Sequence, residues 1–144
     1  MKTIQQGGWV FYVGDDVAEK IDRDKCGKWM YYFDNQHIDF AKKICKEAVE
    51  KKIVAESKHT DIEHINTPTG VCCFYLNGDD LQAHKRTIQY FIDNSLIRKT
   101  KTGKLYNISF KYDYQTRAGK YGDDFKSEIK LESFLNLETG EWKK

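Results

Sequence analysis

The chain has a single proline in 144 residues and no low-complexity tract. A long disordered region needs the opposite composition, so an ordered protein is expected. Charge of one sign is lacking too. Twenty-four lysines and arginines stand against 22 aspartates and glutamates, a formal net charge of +2. That excludes a polycationic coat for long nucleic acid, so any anion site must come from local clustering. The four cysteines, Cys26, Cys45, Cys72 and Cys73, form no CxxC pair, and no Cys/His group has zinc spacing. They read as free buried thiols of a reducing compartment. No apolar run approaches a membrane span. The opening MKTIQQGGW has no signal-peptide core. A soluble cytoplasmic protein without metal or cofactor is expected. Walker loop, GxGxxG and nucleophile elbow are all missing, and no internal repeat is visible.

Aromatic residues are present in quantity, at 14% of the chain. Large rings suit a sheet-rich protein. The length fits one domain, residues 1–144, with a real core. Residues 8–13 (GWVFYV) and 28–33 (KWMYYF) read as strands, with 17–27 irregular between them. After the Asp34-Asn35 turn, Ile38, Ala41, Ile44, Cys45, Ala48 and Val49 recur at helical spacing, which predicts an amphipathic helix ending near Lys52. Its lysines read as a solvated face. Residues 53–58 read as a strand, 59–70 as a polar loop and 71–76 (VCCFYL) as a strand. A turn and N-cap cluster at 77–80 precedes a second helix marked by Leu81, His84, Ile88, Phe91, Ile92 and Leu96. Residues 127–131 and 133–137 are weaker strand candidates. Helices backing one face of a mainly antiparallel sheet, an α+β fold, suit this order better than a doubly wound fold.

The stretch Leu105–Gly122, LYNISFKYDYQTRAGKYG, carries the strongest chemical signal. Tyr106, Ile108, Phe110 and Tyr112 alternate with Asn107, Ser109 and Lys111, as in a half-buried strand. A loop with Gly119 and Gly122 follows. Lys111, Arg117 and Lys120 fall within ten residues, among Tyr112, Tyr114 and Tyr121. Cations and aromatic faces at a strand end can present themselves to an anionic ligand. The plainer alternative is a loop of solvated lysines.

The segment SFKYDYQTRAGKYG resembles the C-terminal signature of the family of the basophilic-leukemia-expressed protein and its bacterial phosphothreonine-lyase-like relatives. It is more distantly similar to the phosphothreonine lyase effectors. The resemblance runs from about Gly27 to Phe134. It implies a fold like that of the cap-binding translation initiation factor, a curved antiparallel sheet backed by helices. It also implies a phosphate site. Lys58, in Ser57-Lys58-His59-Thr60-Asp61, matches the segment of the lysine base. Tyr75 matches a tyrosine on the following strand. Lys111 and Lys120 match positions where the effectors carry phosphate-binding arginines.

The departures bear on catalysis. β-Elimination needs a base for the α-proton, an acid for the leaving phosphate and cations to hold it. The effectors place a histidine acid in a K-aromatic-H pattern. Here the match is Lys28-Trp29-Met30, and a thioether has no proton to give. Residues 62–70 contain no arginine, and lysine cannot grip phosphate bidentately. The histidines His37, His59, His64 and His84 share no metal spacing and read as structural or solvated. They form no pair of H-x-T/S motifs, so a two-histidine phosphoesterase is not indicated.

The expected function is therefore a binding module for a small phosphorylated, nucleotide-derived ligand, rather than an enzyme. Lys28, Lys58, Lys111, Arg117 and Lys120 would hold phosphate, and Tyr75, Tyr112, Trp9 and Trp29 would stack or flank a base. Core packing is the competing role for both tryptophans. A small Lys/Ile/Tyr-rich chain of this kind suits a phage protein that sequesters a nucleotide signal of host immunity. The alternatives are a phosphothreonine lyase-like enzyme, with Lys58 as base, and a protein–protein inhibitor without a pocket.

Overall fold

The computed structural model describes residues 1–117 and 128–143. Seven strands, β1 (Lys2–Gln6), β2 (Trp9–Val13), β3 (Cys26–Asp34), β4 (Glu56–Thr60), β5 (Thr69–Asn77), β6 (Ser109–Tyr112) and β7 (Ile129–Lys130), form one sheet in the order β1-β2-β4-β5-β3-β6-β7. Every neighbouring pair is antiparallel. The sheet does not close on itself, and the fold is α+β.

Two long helices, α2 (Ile38–Glu50) and α4 (Leu81–Asp93), supply the cover. Their sequences explain them. In α2 the buried positions are Ala41, Ile44, Cys45, Ala48 and Val49, spaced along one stripe. In α4, Asp80 caps the N-terminus by accepting from the Ala83 amide at 3.1 Å. Its stripe includes Ala83, His84, Ile88 and Phe91.

The stripes meet the sheet face carrying Val10, Tyr12, Trp29, Phe33, Cys72, Phe74 and Phe110 in one continuous core. Phe74 and Phe91 cross edge to face with ring centroids 5.2 Å apart. Because strand side chains alternate, the residues between these point the other way. Cys72 belongs to the main core, and Cys73 to a smaller cluster with Ile21, Cys26 and Tyr75. All four cysteines are free thiols and buried.

Three short helices complete the described chain: α1 (Val17–Lys20), α3 (Ile62–Ile65) and α5 (Asp113–Arg117). The elements differ from the sequence-based expectation at several points. β1 was not expected, because KTIQQ has no apolar face and all five residues are exposed. It is specified by the turn instead. Gly7 and Gly8 have φ of 61° and 84°, and Gln6 pairs with Trp9, so the hairpin loop is two residues long. Such a loop requires positive φ at both positions, which glycine supplies.

The strand expected at 53–58 begins only at Glu56. Ile53 and Val54 close the end of α2, their amides donating to the Ala48 carbonyl at 2.8 and 3.2 Å. Helix α3 interrupts the expected 59–70 loop. Residues 113–117 continue as a helix, not a loop. The candidate strand at 133–137 is instead a 3-10 turn, Leu131–Ser133, followed by irregular chain that buries Leu135. Ser127 lies outside the described residues.

Candidate functional site

The face of the sheet away from α2 and α4 carries the chemistry. Cross-strand register sorts its side chains into three rungs. Glu56, Tyr75, Lys28 and Lys111 form the first, running across β4, β5, β3 and β6. Phe11, Lys58, Cys73 and Met30 form the second. Trp9 opposite Thr60, and Val71 opposite Tyr32, form the third. Over these rungs lies a cavity of about 760 Å³, with Trp9, Lys28, Met30, Lys58, Cys73 and Lys111 in its lining. That volume is within the range of small-molecule sites.

Lys58 is the centre of the arrangement. Its Nζ sits 3.8 Å from the centroid of the Trp9 ring, 5.6 Å from Phe11 and 5.8 Å from Tyr75. Each ring face attracts a cation, by roughly 0.5–2 kcal/mol depending on desolvation. Burial holds the Lys58 pKa below the ordinary lysine value, and the neighbouring Lys28 ammonium pushes the same way. Among the described residues, no carboxylate stands within ion-pair distance of Lys58.

Lys28 and Lys111 face each other across β3 and β6. Each is only 8% exposed. Like charges directly opposite on a sheet repel. Asp113, at the start of α5, accepts from Lys28 Nζ at 3.2 Å and offsets part of this. Burial, then the charge of Lys28, lowers the Lys111 pKa. Glu56, at the far end of the rung, is engaged by Arg23 at 3.1 Å. Gly27 lets β6 approach closely, since a Cβ there would come 2.5 Å from the Lys111 carbonyl oxygen and 2.7 Å from the Phe110 ring.

Cys73 and Tyr75 on this face are protonated and neutral. Burial pushes the Cys73 thiol up to about 12. Burial also raises Tyr75 well above the usual phenol value. Met30, where the lyase pattern places its acid, lies among the cavity-lining residues, and its Sδ accepts from Tyr32 Oη at 3.8 Å.

Of the residues singled out from sequence, Lys28, Lys58, Lys111 and Trp9 are brought together, with Tyr75 between Lys28 and Lys58. Trp29 is not among them. It is 0% exposed on the helix side, where its Nε1 donates to His84 Nδ1 at 3.1 Å. Tyr112 is also directed away from the cavity, stacking on Tyr114 at 5.1 Å and meeting Phe110 edge to face. It directly follows Lys111 on β6, and the pleat sends it to the other face. Lys120 and Tyr121 lie outside the described residues, as does the Arg117 side chain.

His59 and His84 are buried and structural. His59 bonds the Thr60 carbonyl through Nδ1 at 3.0 Å and Tyr12 Oη through Nε2 at 3.1 Å. His84 accepts from Trp29 and therefore donates through Nε2 to the Gly78 carbonyl at 2.9 Å. Burial lowers both pKa values.

Sequence reasoning passed over Arg98, Tyr32 and the cavity position of Tyr106, all of which line the same space. Arg98 comes from the segment after α4, far from the cation-rich stretch in sequence. Its Nη2 donates to the Tyr32 carbonyl at 2.6 Å, and its guanidinium lies 5.2 Å from the Tyr31 ring. Tyr106 is tied to the same segment, its amide donating to the Arg98 carbonyl at 2.9 Å.

No protein-family model and no curated protein matches the chain. Among the described residues, no helix is long and apolar enough to cross a membrane, and no group of three or more His, Cys, Asp or Glu could hold a metal ion.

Proposed function

We propose that the chain is a binding module for a small phosphorylated ligand of nucleotide type. The observation that carries this is Lys58. Its ammonium is held in an aromatic box at the wall of a 760 Å³ cavity, with Lys28 and Lys111 on the adjoining rung. Three lysines around one cavity lower the energy of an anion there. Aromatic walls then favour an anion that carries a flat ring. Sequestering a nucleotide signal is the role we assign to such a module, with a phage-encoded protein acting in a host cytoplasm as the setting.

Native mass spectrometry of the protein purified from a cell that makes such signals tests the reading. A bound, phosphorus-containing mass released intact on denaturation is the expected result. A released mass without phosphorus contradicts it.

The lowered pKa of Lys58 favours one second reading, a phosphothreonine lyase with Lys58 as base. Met30 opposes it, because loss of a general acid costs ~100- to 10,000-fold in rate. Phosphorus NMR of the protein with a phosphothreonine peptide is expected to show no inorganic phosphate. Rapid release together with a dehydrated peptide overturns the binding-module reading in favour of the lyase.

A further inference from the structure

We infer that the cavity has polarity, with Tyr32 and Tyr106 as the platform for the ligand's ring and the three lysines as its phosphate end; the inference rests on the nucleotide reading above.

The first observation concerns Trp9. Lys58 Nζ lies 3.8 Å over its ring, which is contact distance. That face of the indole is taken by the ammonium, so Trp9 acts by positioning Lys58. A base needs another surface to lie on.

The second observation locates that surface. Tyr32 is 56% exposed and Tyr106 is 51% exposed, although both belong to the cavity lining. Large rings left open beside a cavity with an apolar floor (Met30, Val71 and Cys73) are stacking surfaces awaiting a partner. The main chains of both tyrosines are tied to one residue. Arg98 donates to the Tyr32 carbonyl at 2.6 Å and accepts from the Tyr106 amide at 2.9 Å. The two segments that carry the rings are thus held side by side.

The third observation is the separation of the ends. Lys28 and Tyr32 are four residues apart on one strand and point to the same side. At ~3.3 Å per residue their Cα atoms are about 13 Å apart. A ligand that reaches both ends needs length between ring and terminal phosphate. A nucleoside di- or triphosphate meets that need better than a monophosphate. Its terminal phosphate also receives the concentrated charge of Lys28, Lys58 and Lys111.

Calorimetry with ADP, GDP, CDP, UDP, the matching monophosphates and inorganic pyrophosphate tests the polarity. At least one nucleoside diphosphate is expected to bind more tightly than its monophosphate. Tyr106→Ala and Tyr32→Ala should each weaken that diphosphate by roughly 5- to 100-fold, the worth of one stacked base. Both should leave pyrophosphate binding unchanged. Tyr106→Phe, which keeps the ring, should retain wild-type affinity and show that the loss comes from stacking. Both tyrosines are exposed, so the alanine variants should fold, and circular dichroism checks this. Equal binding of the diphosphate to wild type and to both alanine variants overturns the platform while the nucleotide reading stands. Failure of every mono- and diphosphate to bind wild type overturns the polarity inference, and failure of the cyclic nucleotides as well overturns the nucleotide reading.

Discussion

One sheet presents two faces with opposite chemistry, often from adjacent residues. Trp29 is in the core, and Lys28 faces the cavity. His59 is bonded to Tyr12 beneath the helices, and Lys58 lies against Trp9 on the other side. Phe110 is fully buried, and Lys111 lines the cavity. On both sides, burial is matched by bonding. No buried side-chain nitrogen or oxygen among the described residues lacks a hydrogen-bond partner. On the open side, three lysines crowd together, and burial with the neighbouring charge of Lys28 lowers the pKa of Lys58 and Lys111. The comparison teaches a division of labour. The helix face holds the fold, and the open face gathers the cations on which the proposed anion site rests.

The largest expected effect falls on the helix face. Trp29→Ala removes a fully buried ring and leaves His84 Nδ1 without its donor. A cost of ~3–5 kcal/mol in unfolding free energy follows from the lost burial and the cavity together. Urea denaturation measures it. A change under ~1 kcal/mol would place Trp29 outside the core and erase the contrast between the faces.

On the open face the sign differs. Lys111→Ala should weaken binding of a phosphorylated ligand by ~1.5–3 kcal/mol, on the order of one charged hydrogen bond. Without ligand, it should hardly change the thermal midpoint, because it also removes a repulsion with Lys28. Lys58→Ala should weaken binding similarly, with a modest loss of stability because its ammonium leaves the Trp9 ring. A large loss of stability with unchanged affinity would make these lysines structural and end the division.

The two buried histidines give a smaller, pH-dependent effect on the helix face. Burial lowers their native pKa below the usual 6.5. As pH falls through 6.5, the unfolded chain takes up protons that native His59 and His84 refuse. The unfolded state then binds more protons, so stability falls with pH. The thermal midpoint should be lower at pH 5.5 than at pH 7.5, and His59→Gln should flatten part of that slope. A midpoint that rises on acidification contradicts the burial of these rings as neutral groups.

Much of the fold was legible because its signals are local. The stripes of α2 and α4, the Asp80 cap and the alternation in 28–33 and 71–76 each follow from spacing. β1 was not legible, because a strand exposed on both faces has no period to read, and two glycines alone specify it. In the site, Lys28, Lys58 and Lys111 were found, but their shared face depends on register across four strands. Trp29 was misplaced because alternation in β3 shows two faces without saying which is covered. Arg98 was missed because only the chain's return past Tyr32 brings it to the cavity. A cluster of cations drawn from distant strands leaves no single motif.

The most direct test of the central claim is a calorimetric comparison of cyclic dinucleotides, nicotinamide-derived cyclic nucleotides, nucleoside diphosphates, inorganic phosphate and a phosphothreonine peptide at two salt concentrations. The account predicts that a nucleotide binds most tightly, by the ~1–3 kcal/mol that a stacked base adds to phosphate contacts. It also predicts that added salt weakens the binding without abolishing it, since stacking is not screened. Equal or tighter binding of the phosphothreonine peptide would contradict the account.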